Sequence, residues 1–179
     1  MSARKMGLKT NAYLIEFNKL QHGLNDFEFE INEEFLSDFE FSPIKSADIK
    51  ADVSVSKSEN MLEFEIHLSG SALVPCDTCL TEINLPVDEY FDFIIKMSEE
   101  NNFDDPEIIY LNRNEISYDL KQFLYESVLL SLPHVKNCDE LEEPKPCDQT
   151  VLSRIQSQVD QNDEETDDPR WDKLKDILK

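Results

Sequence analysis

Glycine is scarce in this sequence of 179 residues. There are three glycines, Gly7, Gly23 and Gly70, and each stands far from the others. The Walker loop and the dinucleotide-binding loop both need several glycines within one short turn, so the sequence excludes both classes of phosphate-binding loop. It also lacks an apolar run near the roughly 18 residues that a transmembrane helix requires.

Basic residues are few as well. The chain has 17 Lys and Arg against 39 Asp and Glu, which gives a formal net charge of −22. Binding to a phosphate backbone needs clustered Lys and Arg, so this balance opposes unassisted binding to nucleic acid. The charge instead favours a basic partner, although solubility alone would also explain it.

The first residues carry Arg4, Lys5 and Lys9, with no apolar segment of the kind that a secretory signal contains. We therefore expect residues 1–10 to form a short flexible arm and the protein to be cytoplasmic. Thiols stay reduced in that compartment, so its four cysteines are expected to be free thiols or metal ligands.

Apolar residues alternate with polar ones through much of the first half of the chain, which is typical of strands with one wet face. The alternation predicts a strand within residues 11–21, another over 26–31, and a hairpin formed by 48–56 and 61–68. Two further runs, around 83–87 and over 90–97, are also strand-like, and two short strands joined across the sequence CDTC are predicted to form a second hairpin with that sequence at its tip. A short helix is predicted at 32–39, with Asn32 as its N-cap.

One strong helix is predicted over Tyr118–Leu132. Its apolar residues follow the spacing of a single helix face, Ser117 is a suitable N-cap, and Pro133 ends it. The predicted fold class is α+β, an antiparallel sheet packed against this main helix, with a cysteine-bearing knuckle at one end. Whether the sheet closes into a barrel is left open by the sequence.

The composition changes after residue 134. Residues 160–168 hold six acids and no base, which is typical of a solvated linker. Trp171, Leu174 and Leu178 then fall on one face of a short helix that is too short to be stable alone, so we expect it to bind a partner or its own domain. The predicted organisation is an arm over 1–10, one domain over 11–150, and an acidic linker with a short helix over 151–179.

Cys76 and Cys79 form a Cys-x2-Cys pair, a spacing that lets two thiolates reach one tetrahedral zinc ion. Cys138 and Cys147 could supply the other two ligands, with His134 as an alternative, although eight intervening residues are more than a regular knuckle has. The sequence leaves three alternatives to one structural zinc: unligated thiols, remnants of an ancestral metal site, and a redox pair. The redox pair is the least favoured, because such motifs normally open a helix after a strand.

The motifs of common enzyme classes are missing from the sequence. It has no HExxH, and the closeness of Ser131 to His134 does not resemble a nucleophile elbow. The many carboxylates stand without a partner that sequence can identify. We therefore expect a protein that is not an enzyme and has no small-molecule substrate.

Three motifs in order resemble the YceD family, the large ribosomal RNA subunit accumulation proteins, from about residue 10 to the C-terminus. They are VPCDTCL around the Cys76–Cys79 pair, the helix sequence YDLKQFLYESVLLSLP, and the tail Asp168-Pro169-Arg170-Trp171 with Leu174. The resemblance implies a cytoplasmic, non-enzymatic factor needed for normal levels of 23S ribosomal RNA, and hence a role in synthesis or assembly of the large subunit.

Two partner hypotheses follow from the resemblance and the charge together. In the first, acids clustered at 26–40, 88–107 and 160–168 hold a basic large-subunit protein or assembly factor, with Trp171, Leu174 and Leu178 as apolar anchors. In the second, a local basic patch binds ribosomal RNA directly. The first is favoured because a charge of −22 repels RNA at long range. A thiol oxidoreductase that uses Cys76 and Cys79 is the less favoured alternative from another class.

Overall fold

A computed structural model describes residues 12–98, 108–138, 141 and 145–162. The predicted arm over 1–10 and the terminal helix with Trp171, Leu174 and Leu178 lie outside these residues. The strands are β1 (Leu14–Glu16), β2 (Gly23–Ile31), β3 (Ser46–Lys57), β4 (Met61–Pro75), β5 (Glu82–Met97), β6 (Ile108–Leu111) and β7 (Ser117–Asp119). The helices are α1 (Glu33–Leu36), α2 (Lys121–Ser131) and α3 (Gln149–Asn162), and a 3-10 turn spans Phe17–Lys19.

Five strands form one open sheet in the order β2-β3-β4-β5-β6, while β1 and β7 form a separate antiparallel pair. The predicted hairpin of 48–56 and 61–68 is confirmed as β3 and β4. The hairpin with CDTC at its tip is confirmed as β4 and β5, whose strands are much longer than expected. The barrel alternative is wrong, because β2 and β6 are the two edges of the five-stranded sheet.

The predicted antiparallel pairing holds from β2 to β5, but the sheet as a whole is mixed. β6 pairs with β5 in parallel, with Ile94 opposite Ile108. The strand predicted within 11–21 is also shorter than expected, because a 3-10 turn begins at Phe17, directly after β1. α1 confirms the predicted short helix, and the Asn32 side chain accepts a hydrogen bond from the Phe35 N–H at 3.1 Å.

Helix α2 confirms the main predicted helix but begins three residues later than expected. Residues 117–119 form β7, in which Tyr118 pairs with Ile15, so Ser117 is a strand residue and the prediction that it is the N-cap was wrong. The Asp119 carboxylate instead accepts the Lys121 N–H at 2.9 Å. Backbone pairing across the chain has prevailed over the local preference for a cap.

The core lies between the sheet and helix α2. The inner faces of β3 and β4 contribute fully buried side chains such as Val53, Phe64 and Leu68, and α2 contributes Leu124 and Val128. The other face of the sheet is turned to solvent, and this one-sided burial explains why period-two alternation is so clear in the sequence.

Helix α3 was not among the predicted elements. It begins in a polar stretch, directly after Asp148, whose carboxylate accepts the Thr150 N–H at 2.7 Å and so caps the helix. Val151 packs against the core cluster. The helix covers residues 149–162 and so includes the beginning of the stretch that we expected to be an acidic linker.

Candidate metal centre

The tip of the β4–β5 hairpin carries the first two cysteines. The Cys76 N–H donates to the Thr81 carbonyl at 2.8 Å, and the Leu80 N–H donates to the Cys76 carbonyl at 2.9 Å. These bonds close a tight turn between the two strands. Cys76 and Cys79 are buried beneath it, whereas Leu80 is exposed.

A later segment of the chain is hydrogen-bonded to this turn. The Asp77 N–H donates to the Lys136 carbonyl at 2.7 Å, and the Lys136 N–H donates to the Asp77 carboxylate at 2.7 Å. The Thr78 hydroxyl donates to the Asn137 side chain at 3.0 Å. These three bonds place Cys138 beside the hairpin tip, although it lies 59 residues after Cys79.

The fourth cysteine stands directly before helix α3. The Lys145 N–H donates to the Cys138 carbonyl at 3.2 Å, so the chain turns back on itself between Cys138 and Cys147. The Asp148 cap then begins α3 at Gln149. The wide spacing of the second cysteine pair is therefore bridged by the fold.

The four sulfur atoms lie together, all within 4.8 Å of one another. The Sγ atoms of Cys79 and Cys138 are 3.6 Å apart, and those of Cys76 and Cys147 are 3.9 Å apart. Four sulfurs at about 2.3 Å from one zinc ion form a tetrahedron whose edges are about 3.8 Å. A disulfide would need about 2.05 Å, and the four cysteines are free thiols.

The pKa values of Cys79 and Cys138 are shifted in opposite directions. The hydrogen bond from the Thr81 side chain, together with N–H groups of Asp148 and Thr81, lowers the pKa of Cys79 to about 6. Burial and the neighbouring sulfurs of Cys76 and Cys79 raise the pKa of Cys138. A divalent cation at the centre would stabilise all four thiolates at once, so the donor set fits a soft metal ion such as zinc.

The four predicted cysteine ligands are thus brought together, and three of them, Cys76, Cys79 and Cys138, are buried. His134 lies nearby in sequence but is exposed and is not among the clustered ligand atoms. Sequence reasoning missed the contribution of Asp77 and Asn137, which join the two halves of the centre. No spacing rule connects those residues to their partners, which lie 59 positions away.

A second feature of the molecule is the solvent face of the sheet, which is strongly acidic. Nine exposed carboxylate side chains lie on it, from Asp26, Glu28, Glu30, Asp48, Glu63, Glu65, Glu82, Asp88 and Asp92. Lys50 also lies on this face, 2.9 Å from the Glu28 carboxylate and 2.8 Å from that of Asp52. Two of the three acidic clusters visible in the sequence, at 26–40 and 88–107, thus contribute to one surface.

The fold and the site define a β-rich protein in which a four-cysteine cluster fastens a hairpin tip to the C-terminal part of the chain. The chain belongs to the YceD family: the family model described as "Large ribosomal RNA subunit accumulation protein YceD" matches residues 64–178. The matched region holds all four cysteines and α2. No curated protein and no solved structure matches the chain. None of the helices within the described residues is long and apolar enough to cross a membrane.

Proposed function

We propose that this protein is a non-enzymatic cytoplasmic factor that supports accumulation of 23S ribosomal RNA and biogenesis of the large subunit. It does so by holding a basic ribosomal protein or assembly factor. Family membership supports the pathway, since the family is named for accumulation of the large ribosomal RNA. The acidic solvent face of the sheet supports the proposal that the partner is a basic protein.

The acidic face carries the argument for a cationic partner. Its nine exposed carboxylates belong to β2, β3, β4 and β5, and adjacent strands of such a sheet lie about 4.8 Å apart. Neighbouring charges at these separations lie within about one Debye length of 8 Å, so their fields add and attract a cationic surface. The same field repels an RNA backbone and would keep a held basic protein away from non-cognate RNA.

Our proposal assigns one structural zinc ion to Cys76, Cys79, Cys138 and Cys147. The clustered, tetrahedrally spaced sulfurs support this assignment, and such a closed four-thiolate site leaves no open position for a substrate. The ion would fasten the hairpin tip to the segment that leads into α3. In this proposal the metal stabilises the structure and takes no part in a reaction.

The same proposal gives the apolar part of the partner contact to Trp171, Leu174 and Leu178. These residues lie within the matched family region but outside the described residues. Buried aromatic side chains dominate interface energies, so one tryptophan on a short helix can anchor a partner that the acidic face attracts.

An affinity capture from nuclease-treated lysate at moderate salt tests the holder function. The unmodified protein should recover one basic large-subunit protein, and Trp171→Ala or removal of residues 160–179 should abolish the recovery. Leu130→Ala is the matched control, because Leu130 is an apolar side chain on α2 that is 75% exposed. That variant should capture the partner normally.

Two other results would contradict parts of this proposal. Recovery of ribosomal RNA that vanishes with nuclease, with no protein partner left, would move the assignment to direct RNA binding. The double substitution Cys76→Ser with Cys79→Ser distinguishes a structural zinc site from a thiol oxidoreductase. If the protein is an oxidoreductase, the variant loses turnover and keeps its fold. If the zinc is structural, the variant loses the metal and the fold around the hairpin tip together.

A further inference from the structure

The direction of the hydrogen bonds in the sheet shows which backbone groups of β2 face outward. The Ser58 N–H donates to the Met61 carbonyl at 2.9 Å, at the turn between β3 and β4. Alternate residues of a strand bond to opposite neighbours, so even-numbered residues of β3 bond to β4 and odd-numbered ones to β2. The register of β2 on β3 then turns the backbone groups of four residues away from the sheet: Leu24, Asp26, Glu28 and Glu30.

Most of this outer edge lacks a partner among the described residues. The Tyr13 hydroxyl donates to the Glu30 carbonyl at 2.8 Å. No backbone bond from a described residue reaches the outward groups of Leu24, Asp26 or Glu28. Within the described part of the chain, β2 therefore presents three N–H and three C=O groups in the spacing that a further strand would use.

The two faces of β2 differ in a way that specifies such a strand. Asp26 and Glu28 project on the solvent face. Phe27 and Phe29 project on the inner face, where they are half-buried with ring centroids 6.3 Å apart and planes inclined by 11°. A strand added to this edge would place alternate side chains opposite the carboxylates and the others beside the two rings.

We propose that the outer edge of β2 binds an extended segment of a basic protein, in which Lys or Arg alternates with apolar residues, by strand addition. Cations opposite Asp26 and Glu28 would form favourable cross-strand pairs, and the apolar residues would cover Phe27 and Phe29. A second copy of this chain is a poor occupant, because pairing of the two β2 edges would bring like charges together. This proposal rests on the proposed function, in which the protein holds a basic partner. It adds that the bound segment of that partner is an extended strand.

A blocked eight-residue peptide of alternating lysine and valine is the probe for this edge. Its control is a peptide of four lysines followed by four valines, which has the same charge but cannot place all its cations on one face. The alternating peptide should bind more tightly and should slow amide hydrogen exchange at Leu24, Asp26 and Glu28. Equal binding of the two peptides, or no slowing at these three amides, would overturn the proposal.

Matched variants separate the edge from the overall charge. Asp26→Lys with Glu28→Lys should weaken binding roughly tenfold, since two favourable cross-strand pairs become repulsive. Glu63→Lys with Glu65→Lys changes the net charge equally but lies on β4, inside the sheet, and should have a clearly smaller effect. Equal weakening by both pairs would show attraction without strand addition.

The backbone contribution is tested by Asp26→Pro against Asp26→Ala. Both remove the carboxylate, but only proline removes an outward N–H, and it does so without breaking a bond to β3. Weaker binding of the proline variant supports strand addition. If the proline variant still captures the basic partner from lysate as alanine does, the edge proposal fails while the holder function stands.

Residues 1–11 of this chain are the alternative occupant of the outer edge of β2, and hydrogen exchange distinguishes them from a partner. If deletion of these residues speeds exchange at the amides of Leu24, Asp26 and Glu28, this chain's own basic arm fills the edge, and the proposal for a partner is wrong. Unchanged exchange on deletion is the expected result.

Discussion

The residue after the Cys76–Cys79 pair has an unusual backbone for its type. Leu80 has a φ of 62°, in the left-handed region that favours glycine, and its side chain is 73% exposed. A leucine in this region is strained by contact between its Cβ and the backbone. The turn imposes this conformation, because the chain must reverse at Leu80 for the Thr81 carbonyl to accept the Cys76 N–H.

Replacing Leu80 by glycine should therefore stabilise the protein. Relief of left-handed strain of about 1–2 kcal/mol exceeds the entropic cost of glycine in the unfolded chain, so we expect a gain of about 0.5–1 kcal/mol in the free energy of unfolding. Leu80→Ala keeps the Cβ and the strain, and serves as the control. Urea denaturation measures both variants, and an equal gain from alanine would show that loss of the exposed leucyl side chain is the cause.

The ligand assignment at the metal centre is tested by Cys138→Ser. Cys138 is buried and lies 3.6 Å from the Cys79 sulfur, so its loss removes one of four soft donors. Zinc affinity should fall by roughly 100-fold or more, since even residues that only support metal ligands contribute about 10–100-fold. Metal content after purification and competition with a chelator give the two readings.

The control for that substitution is His134→Ala. His134 is exposed and lies outside the clustered ligand atoms, so its replacement should leave zinc content unchanged. If the histidine variant loses zinc while Cys138→Ser retains it, the ligand set is three cysteines and His134.

At the scale of elements, the strands that could be predicted from the sequence are those with one face exposed to solvent. β3 and β4 bury every second residue, and this pattern was readable because the opposite face meets solvent. The start of α2 was not readable, because β7 depends on pairing with β1, about 100 residues earlier. α3 was missed because its sequence is polar on average, so its few apolar residues, such as Val151, Leu152 and Ile155, were not recognised as one helix face.

For the candidate site as well, one part could be predicted from the sequence and another could not. The identity of the four cysteines followed from their small number and from the Cys-x2-Cys spacing. Their arrangement depends on hydrogen bonds between the hairpin turn and residues 136–137, which no local pattern encodes. Long-range pairing of this kind is invisible to reasoning from sequence windows.

Gly70 tests how closely β3 and β4 approach each other. Its φ is +148°, and an added Cβ would overlap the Asp48 carbonyl oxygen and lie 2.8 Å from the Ile49 Cα. Because backbone atoms cannot move away cheaply, Gly70→Ala should lower the free energy of unfolding by about 3 kcal/mol or more. Urea denaturation with an unchanged m-value would attribute the loss to the native state.

Gly23 supplies the matched comparison for this substitution. It also has a positive φ, +91°, but a Cβ added there would meet no described atom within 4 Å. Gly23→Ala should cost only the conformational strain, about 1 kcal/mol. Equal losses at the two positions would show that φ, and not the close approach of β3, determines the effect.

At the scale of the whole molecule, the cysteine cluster joins parts of the chain that the sheet does not hold together. β2 to β5 pair through continuous ladders of backbone hydrogen bonds. Among the described residues, the segment from Lys136 to Cys147 has only a few bonds to the hairpin tip besides the cluster. A metal ion would therefore contribute most to the stability of this segment and of the start of α3.

Removal of the metal should accordingly loosen one end of the molecule and leave the sheet intact. With a chelator, trypsin cleavage after Lys136 should accelerate roughly tenfold or more, because the loss of even about 1.4 kcal/mol raises the open population of a segment tenfold. Cleavage after Lys50, which lies in β3 between two paired strands, should hardly change. Equal acceleration at both sites would mean that the metal supports the whole fold, and no acceleration at either would mean that the four thiols pack without an ion.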